Sequence, residues 1–421
     1  MRVLWVSNSP IGPAANILGE EYKGSSGGWI QSEYETLDKA NVDLFILSTL
    51  SSVKRGKILC QKNEIGEVYC VHAPKLSTGV AAPQILQDNV REIIEKIKPD
   101  VIQIWGTETW LSSAVSKCKT AAPKIIYIQG LLGIHKRYLG GYFGNLSEDK
   151  KYSIGMSLPI WGKSLYRKWS FLRQAEIEQE TIRNCKNVIV DSDFAKSYCY
   201  SISSDVRSFH RVLMPNTLFQ KRNWKIERCQ KHSIFTIFGS SAEKGTHNLL
   251  KAVSIVKRNF PDIAVNIPGI YDLDAQGSLM PGKKGSFQNV LYSMIQDFGL
   301  DENVHFTGRL SAPQMAEALE NCHLFVNPSC MEVHALSLRE AMLVGVPSIS
   351  AQCGSVAEYL KHKENGLIYR YEEYESLAYY INMIFQSDEL AKHLSENAKN
   401  AFLDMQKADL TLNQIYEELL R

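Results

Sequence analysis

The sequence has no pair of cysteines at C-x-x-C spacing, no apolar run of about 18 residues and almost no net charge. Its nine cysteines are an odd number and lie scattered, which argues against a disulfide framework or a zinc knuckle and favours a reducing compartment. We therefore expect no membrane-spanning helix. The first ten residues, MRVLWVSNSP, also lack the long apolar region of a signal peptide, so we expect a cytoplasmic protein.

A charge excess of one sign is missing too, since 47 Lys and Arg face 45 Asp and Glu. No global electrostatic attraction to nucleic acid is expected. A GxGxxG after the first strand and a GxxxxGK[ST] are also absent, which argues against nicotinamide-dependent dehydrogenases and P-loop enzymes. What is present, 44% hydrophobic and 22% charged residues in a chain of 421, is typical of a folded protein with two or three domains.

Short apolar runs alternate with helical patterns along both halves of the chain, and this alternation predicts parallel sheets covered by helices on both faces. The turn-rich stretch 212–222 separates the halves. We expect an α/β protein of two doubly wound, Rossmann-like domains, 1–215 and 216–404, facing a central cleft, with a C-terminal helix at 405–421 packing back on the first. The predicted strands are Val3–Ser7, Val42–Leu47, Val101–Trp105, Ile125–Ile128, Val188–Val190, Ile234–Phe238, Ile263–Ile267, Asn303–Phe306, His323–Asn327 and Pro347–Ser350.

The stretch 135–173 does not follow this alternation. It holds eight Lys and Arg against two acidic residues, together with eight aromatic residues. A basic, aromatic-rich segment can contact an anionic lipid surface, which would place the protein peripherally at the inner membrane face, or it can contact a bulky acceptor. In the alternative interpretation it is an amphipathic segment that packs on its own domain.

The segment Pro328–Pro347, PSCMEVHALSLREAMLVGVP, carries the chemistry. It follows a predicted strand and opens a predicted helix, Leu338–Val344, so backbone amides near the helix start are suited to phosphate oxygens. The carboxylates of Glu332, in the loop, and Glu340, in the first helical turn, would repel phosphate and instead accept hydrogen bonds from hydroxyls. Alternatively, residues 337–340 form a capping box and Glu340 only satisfies a backbone N–H.

The segment resembles the E-x7-E motif of the retaining, two-domain glycosyltransferases of family 4, usually PS-x-x-E-x-F-G-x-x-x-x-E-A-M-A-x-G-x-P. The resemblance covers essentially the whole chain. It is carried by Pro328, Ser329, Glu332, Glu340, Ala341, Met342, Gly345 and Pro347, by Phe306-Thr307-Gly308, by Glu243-Lys244-Gly245, by Gly354, Glu358 and Gly366, by Pro215-Asn216, and by Gly27-Gly28 in the Gly-rich loop of the first domain.

The resemblance implies a glycosyltransferase B-type fold, with the acceptor bound to residues 1–215 and a nucleotide sugar to residues 216–404. Glu340 would hold the ribose hydroxyls, and Glu332 a hydroxyl of the donor sugar. Lys244 would neutralise the departing diphosphate. The sugar and phosphate would meet backbone amides at His334, Ala335 and Leu336, and Gly27 and Gly28 would complete the donor site.

Three departures from the family pattern affect the expected site. The family has an arginine a few residues before E-K-G, whereas this chain has Ser240 and Ser241, which would donate hydrogen bonds beside Lys244. A histidine often follows the fourth strand of the family's first domain, whereas this chain has Gln129, which would contact the donor sugar or the acceptor without titrating. Ser355 replaces the second glycine of a G-G pair.

Two further residues, His135 and Glu108, are candidates for the acceptor site. His135 lies shortly after Gln129, although a lone histidine is more often structural. Glu108 would orient an acceptor hydroxyl or cap the helix that begins near Thr109. We interpret the DxD triplets at Asp191–Asp193 and Asp272–Asp274 as coincidence and expect neither a metal site nor a cofactor.

The expected function is retaining, metal-independent hexosyl transfer from a nucleoside diphosphate sugar to a hydroxyl of a saccharide or lipid-linked acceptor, in surface polysaccharide or glycan biosynthesis. Two alternatives stay open. One is a nucleotide-sugar epimerase or hydrolase of the same fold, and the other is a non-catalytic subunit that binds a nucleotide sugar or glycan.

Overall fold

The computed structural model describes residues 1–8, 28–63, 66–72, 82–138, 140–141, 143, 149–153, 161–212, 217–237, 239, 241–282, 286–407 and 409–421. The chain forms two compact units. The first contains Met1–Arg137, Arg167–Met214 and Ala408–Arg421, and the second contains Tyr138–Tyr166 and Pro215–Lys407.

Each unit is built on one sheet of mostly parallel strands. The first sheet has the order β3-β4-β2-β1-β5-β6-β7-β8, and the second has the order β11-β10-β9-β12-β13-β14. The first eight strands are β1 Arg2–Ser7, β2 Asp43–Leu50, β3 Ile58–Asn63, β4 Gly66–His72, β5 Val101–Trp105, β6 Lys124–Tyr127, β7 Asn187–Val190 and β8 Arg207–His210. The last six are β9 Gln230–Thr236, β10 Ala264–Pro268, β11 Val304–Gly308, β12 Cys322–Asn327, β13 Ser348–Ala351 and β14 Leu367–Tyr369.

Helices connect the strands in both units. In chain order the helices of the described residues are α1 Gly28–Thr36, α2 Gln84–Ile97, α3 Trp110–Lys117, α4 Leu132–His135, α5 Lys150–Ser153, α6 Trp161–Cys185, α7 Asp193–Ile202, α8 Thr217–Gln220, α9 Thr246–Val256, α10 Phe287–Phe298, α11 Ala312–Asn321, α12 Leu336–Val344, α13 Val356–Tyr359, α14 Tyr374–Gln386, α15 Asp388–Lys407 and α16 Leu412–Leu420. The alternation of strands with helices confirms the predicted doubly wound α/β class.

The central strands are buried along their whole length because both faces of the sheet are covered. All five residues of β5 are buried, as are all six of β12. The helices that cover the sheets have one apolar face, as in α2, where Leu86, Val90, Ile93, Ile94 and Ile97 are buried at helical spacing.

Strands β3 and β4 were not predicted. They pair antiparallel to each other at the edge of the first sheet, from Ile58 opposite Val71 to Asn63 opposite Gly66. Strand β3 is therefore the exception to the parallel arrangement. An antiparallel edge strand on an otherwise parallel sheet is a common variant of the doubly wound class.

The last helix, α16, packs on the first unit. The indole Nε1 of Trp5, a fully buried residue of β1, donates to the Tyr416 hydroxyl at 2.9 Å. That hydroxyl in turn donates to the side-chain oxygen of Gln103 on β5. Arg207 and Glu418 form an exposed ion pair at 2.8 Å. One phenol thus satisfies two buried polar groups on neighbouring strands.

Residues 138–166 belong to the second unit, although the expected first domain spans 1–215. The described part of this segment is held there by a buried ion pair, Asp149 to Lys251 at 2.5 Å, and by the ion pair of Lys151 with Asp297 at 2.8 Å. These partners lie far apart in sequence, so no local pattern predicts the exchange.

We predict that Tyr416→Phe destabilises the first unit. The substitution leaves the Trp5 indole N–H and the Gln103 amide oxygen buried without their partner, which should lower the free energy of unfolding by about 1–3 kcal/mol. Urea denaturation followed by tryptophan fluorescence measures the loss. Tyr200→Phe is the matched control, because Tyr200 of α7 is 64% exposed. Equal stabilities of the two variants would contradict the prediction.

Candidate functional site

The candidate site lies at the carboxyl end of the second sheet. Strands β9 and β12 are parallel neighbours, so the chain leaves both at the same edge. The loop after β9 leads into a short 3₁₀ helix, Ala242–Lys244, and the loop after β12 leads into α12. Ligands of open α/β sheets bind at this edge.

Lys244 and Glu332, the two predicted catalytic residues, come together here. The Lys244 Nζ lies 2.7 Å from the Glu332 Oε1, and both side chains are partly exposed. Burial lowers the pKa of Lys244, but the charge and hydrogen bond of Glu332 outweigh it, and the pKa lies above its usual value. The lysine is therefore a positive charge that a ligand phosphate can reach, beside a carboxylate that can accept a hydroxyl.

The two loops are braced against each other through their backbones. The Cys330 N–H donates to the Glu243 carbonyl at 2.9 Å. A Cβ at Gly245, where φ is +68°, would lie 1.8 Å from the Pro328 carbonyl oxygen. Only glycine therefore allows this close approach.

A third loop, after β13, supports the backbone of Glu332. A Cβ at Gly354 would lie 1.7 Å from the Glu332 carbonyl oxygen. The Ser355 hydroxyl donates to the Val333 carbonyl at 2.5 Å, and the Ser355 N–H donates to the Glu332 carbonyl at 3.3 Å. Ser355, which replaces a family glycine, is thus a hydrogen-bonding brace of the loop that carries Glu332.

The predicted amide segment, His334 to Leu336, forms the start of α12. The helix begins at Leu336, and Ala335 is its N-cap with φ +45° and ψ +44°. This left-handed conformation costs an alanine about 1–2 kcal/mol, and Ala335 stands where the family pattern has glycine. His334 and Ala335 are buried, so the surrounding packing maintains the conformation.

Glu340 is the fifth residue of α12 and lies in its second turn, because the helix begins two residues earlier than predicted. The capping-box alternative is wrong, since the N-cap is Ala335 and not Ser337. In the described part of the chain, no group hydrogen-bonds to the Glu340 carboxyl. Burial alone raises its pKa to about 8. The neighbouring Arg339 instead donates to the Tyr359 hydroxyl and stacks on that ring.

The remaining predicted donor residues are only partly described. Ser241 is the residue before the 3₁₀ helix, and its carbonyl accepts from the Lys244 N–H at 3.1 Å. Ser240 and Gly27 lie outside the described residues. Gly28 is the first residue of α1 in the first unit, and nothing tests its predicted role.

Two of the predicted acceptor residues meet at the carboxyl ends of β5 and β6. A Cβ at Gly106 would lie 3.4 Å from both the Gln129 Oε1 and the Glu108 Oε2, so these side chains flank the same glycine. Glu108 accepts from the Thr107 N–H at 2.8 Å. It does not cap α3, because Thr109 does so by accepting from the Ser112 N–H.

His135 lies apart from this pair. It ends α4, and its ring lies 6.2 Å from that of Phe171. The carboxylate of Glu178, which we did not predict, accepts from the Leu132 and Gly133 N–H groups at 2.8 and 3.0 Å. Glu178 is fully buried in α6 and fixes the loop between Gln129 and His135. A buried glutamate in a long helix is a recognisable signal, but its partners are visible only in the tertiary structure.

Tyr371 is, after Glu178, the second residue near the predicted site residues that we did not predict. It lies just beyond β14, a strand of three residues that is too short to show a pattern. Its hydroxyl lies 2.8 Å from the Gly141 carbonyl and 3.2 Å from the Ala242 carbonyl. Tyr371 therefore contacts the 3₁₀ helix that carries Lys244.

The described hydrogen bonds of both DxD triplets have structural roles, in a helix cap and in a turn. Ser192 caps α7 by accepting from the Ala195 N–H, and Asp193 is the first residue of that helix. Asp274 closes a turn by accepting from the Gln276 and Ser278 N–H groups. Within the described ranges, no group of His, Cys, Asp and Glu side chains is arranged to hold a metal ion.

Comparison with known proteins agrees with this geometry. Residues 224–401, which cover most of the second unit, match the model of the family described as "Glycosyl transferases group 1". The glycosyltransferase YqgM of Bacillus subtilis is 22% identical over 246 residues, 58% of this chain and 64% of YqgM. The chain spans about half to two thirds of the length of the curated relatives it matches first.

Solved structures are similar over the whole chain. Sucrose-phosphate synthase from Thermosynechococcus elongatus is 15% identical with a TM-score of 0.68, covering 100% of this chain and 99% of that one. Anabaena HepE in complex with UDP is 16% identical with a TM-score of 0.61, covering 100% and 99%.

The fold is the glycosyltransferase B-type fold. The family match and the relatives support glycosyl transfer as the activity associated with it. None of the helices in the described part of this B-type chain is both long and apolar enough to cross a bilayer. Peripheral membrane contact through residues 135–173 stays a prediction.

We predict that Glu340 makes the stability of the second unit depend on pH. Its carboxyl has a pKa of about 8 in the folded protein and about 4.3 in an unfolded chain, so folding retains a proton between these values. Stability should therefore fall as pH rises through this range, by up to about 1.4 kcal/mol per pH unit.

Glu340→Gln has no proton to lose and should remove this contribution. Urea denaturation at several pH values between about 5 and 8 gives the difference between the native chain and the variant. Glu317→Gln is the control, because Glu317 is exposed on α11 and should leave the pH dependence unchanged. A native slope that Glu340→Gln does not alter would refute the assignment.

Proposed function

We propose that the protein is a retaining glycosyltransferase that moves a hexose from a nucleoside diphosphate sugar to a hydroxyl of a saccharide or lipid-linked acceptor. The observation that carries the proposal is the half-buried carboxyl of Glu340 in α12, to which no described residue donates a hydrogen bond. A buried carboxyl without a partner is unfavourable unless a ligand supplies hydrogen-bond donors. Ribose hydroxyls are donors of the right kind.

The groups at the site have the charges that a nucleotide sugar needs. Lys244 offers a cation for the diphosphate, Glu332 an acceptor for a sugar hydroxyl, and the amides at the start of α12 further donors for anionic oxygens. HepE, which shares the fold, has been solved with UDP and with UDP-glucose. We propose a UDP-sugar as the first donor to test.

The resemblance to family 4 implies front-face attack. The bond between the sugar C1 and the diphosphate oxygen breaks, and that oxygen leaves with the bonding electrons. The acceptor oxygen bonds to C1 from the same face and passes its proton to the leaving diphosphate oxygen. Lys244 stabilises the negative charge that develops there, and Glu332 orients the sugar. This scheme requires neither a dedicated protein base nor a metal ion.

Acceptor binding is proposed for the first unit. The Gln129 amide nitrogen is buried without a hydrogen-bond partner among the described residues, and Glu108 lies on the other side of Gly106. The amide is therefore available to a hydroxyl or carbonyl of a ligand. We propose that the product belongs to a surface polysaccharide or another glycan.

We predict that the chain binds one of UDP, GDP and ADP and that Glu340→Ala weakens this binding. Losing the hydrogen bonds between the Glu340 carboxyl and the ribose hydroxyls should reduce affinity about ten- to a hundredfold. Isothermal titration calorimetry measures the dissociation constant for each nucleotide. Glu317→Ala, an exposed glutamate on α11, is the matched control and should bind as the native chain does.

The outcomes separate the candidate functions. Binding that depends on Glu340, followed by sugar transfer to an added acceptor, supports a transferase. Binding with release of free sugar or an epimerised donor supports the alternative enzymes, and binding without any product supports a non-catalytic subunit. No binding of the three nucleotides, or binding indifferent to Glu340, would remove the basis of the donor site.

A further inference from the structure

Two main-chain groups, the Gly140 N–H and the Gly141 carbonyl, bond to Glu243 of the 3₁₀ helix that carries Lys244 and to Tyr371, which also contacts that helix. We call the described residues 138, 140, 141, 143 and 149–153 the crossover segment, because in sequence they interrupt the first unit but belong to the second. The Gly140 N–H donates to the Glu243 Oε1 at 3.1 Å. The Gly141 carbonyl lies 2.8 Å from the Tyr371 hydroxyl, which also lies 3.2 Å from the Ala242 carbonyl.

The approach at Gly141 is closer than any side chain allows. Its φ is +58°, and an added Cβ would lie 2.3 Å from the Ala242 carbonyl carbon and oxygen and 2.5 Å from the Glu243 nitrogen. The backbones of the crossover segment and of the 3₁₀ helix are therefore in direct contact, with the Tyr371 phenol bonded at their junction. A shift of one must displace the other.

Buried contacts hold the rest of the crossover segment in place. Phe143 packs edge-on against His247 of α9, with ring centroids 5.0 Å apart. Asp149 and Lys251 form their ion pair with side chains only 2% and 5% exposed. Breaking a buried ion pair is strongly destabilising, so this end of the segment is firmly attached to α9. The helix that follows Lys244 thus carries both anchors.

Position matters more for Lys244 than for a typical phosphate-binding lysine. The arginine of the family pattern is absent, so Lys244 is the positively charged residue of the turn formed by residues 241–245. The turn itself is short, with the Lys244 and Gly245 N–H groups donating to Ser241 and Ala242 at 3.1 and 3.0 Å. Such a turn gains most of its rigidity from what packs against it.

We propose that Tyr371, together with the backbone of Gly140 and Gly141 in the crossover segment, is a positioning residue that sets the place of Lys244. The proposal rests on the proposed function for its catalytic consequence, because Lys244 acts on the donor diphosphate. Tyr371 contacts the turn, and its proposed effect on the ligand is exerted through Lys244. Its hydroxyl fixes the distance between the 3₁₀ helix and the crossover segment, and so the reach of the lysine toward Glu332 and the diphosphate.

The test compares Tyr371→Phe with Tyr369→Phe. Both substitutions remove one buried tyrosine hydroxyl, but the Tyr369 hydroxyl has no hydrogen-bond partner among the described residues. The first readout needs no ligand: acylation of Lys244 by acetic anhydride, quantified by mass spectrometry against the exposed Lys363. We expect Tyr371→Phe to raise Lys244 acylation about three- to tenfold, because the Glu332 pair is loosened, and Tyr369→Phe to leave it unchanged.

The second readout is the binding of a nucleoside diphosphate compared with its nucleoside, for example UDP with uridine. Tyr371→Phe should weaken UDP about three- to tenfold and leave uridine unchanged, since only the diphosphate meets Lys244. Lys244→Met sets the limit of the effect. A general structural defect would weaken both ligands alike, and that result would overturn the proposal.

A second variant pair approaches the contact from the other side. Glu243→Ala removes the acceptor of the Gly140 N–H and should raise Lys244 acylation, whereas Glu243→Gln keeps a side-chain oxygen and should restore protection. Unchanged acylation in both Tyr371→Phe and Glu243→Ala would refute the positioning role. If acylation rises in Tyr371→Phe but the native chain binds none of the nucleotides, the positioning role in the turn is supported and only the proposed function is refuted.

Discussion

The parallel pairing of β9 with β12 brings the loop after each strand to one edge of the second sheet. Lys244 follows β9 and Glu332 follows β12. The Lys244 Nζ lies 2.7 Å from the Glu332 Oε1, so this ion pair joins the two loops. The backbones are close enough that Gly245 and Gly354 admit no side chain. Sheet geometry, and not sequence proximity, therefore assembles the charged part of the site.

The ionisable groups of this site favour different protonation states: Lys244 is charged, whereas the neutral form of Glu340 is favoured. Lys244 keeps its charge because Glu332 is its partner, and both side chains are partly open to water. Among the described residues Glu340 has no such partner, and desolvation favours its neutral form. The Glu340 carboxyl would therefore be stabilised by a ligand that supplies hydrogen-bond donors. The low polarity around Glu340 would strengthen those hydrogen bonds as well.

Residues 138–166 belong to the second unit, although in sequence they lie between two segments of the first. The two units are therefore not two consecutive stretches of chain. The chain leaves the first unit after Arg137 and returns at Arg167, and in between it contributes backbone and aromatic contacts to the second unit. Some aromatic and basic residues in this stretch contact the second unit: Phe143 packs against His247, and Lys151 forms an exposed ion pair with Asp297. Composition alone cannot distinguish such contacts from a surface that meets a membrane.

Local pattern was sufficient for five of the six strands of the second sheet, β9 to β13, and for the segment Pro328–Pro347. Apolar runs buried on both faces marked β9 to β13 within a few residues, because central parallel strands have few polar positions. The spacing of Glu332, Glu340, Gly345 and Pro347 identified a strand, a loop and a helix. The B-type fold followed from the resemblance, and the solved structures agree with it.

Long-range contacts decided the rest. Helix α12 begins at Leu336 and not at the predicted Leu338. Its N-cap, Ala335, adopts a left-handed conformation that is unfavourable for alanine and is maintained by the surrounding packing. The pair β3–β4 and the short β14 depend on neighbours across the sheet, which no window of sequence contains. Tyr371, Glu178 and the Asp149–Lys251 pair acquire their roles from residues far along the chain. Sequence determines which groups are available, and burial in the tertiary structure determines which of them meet.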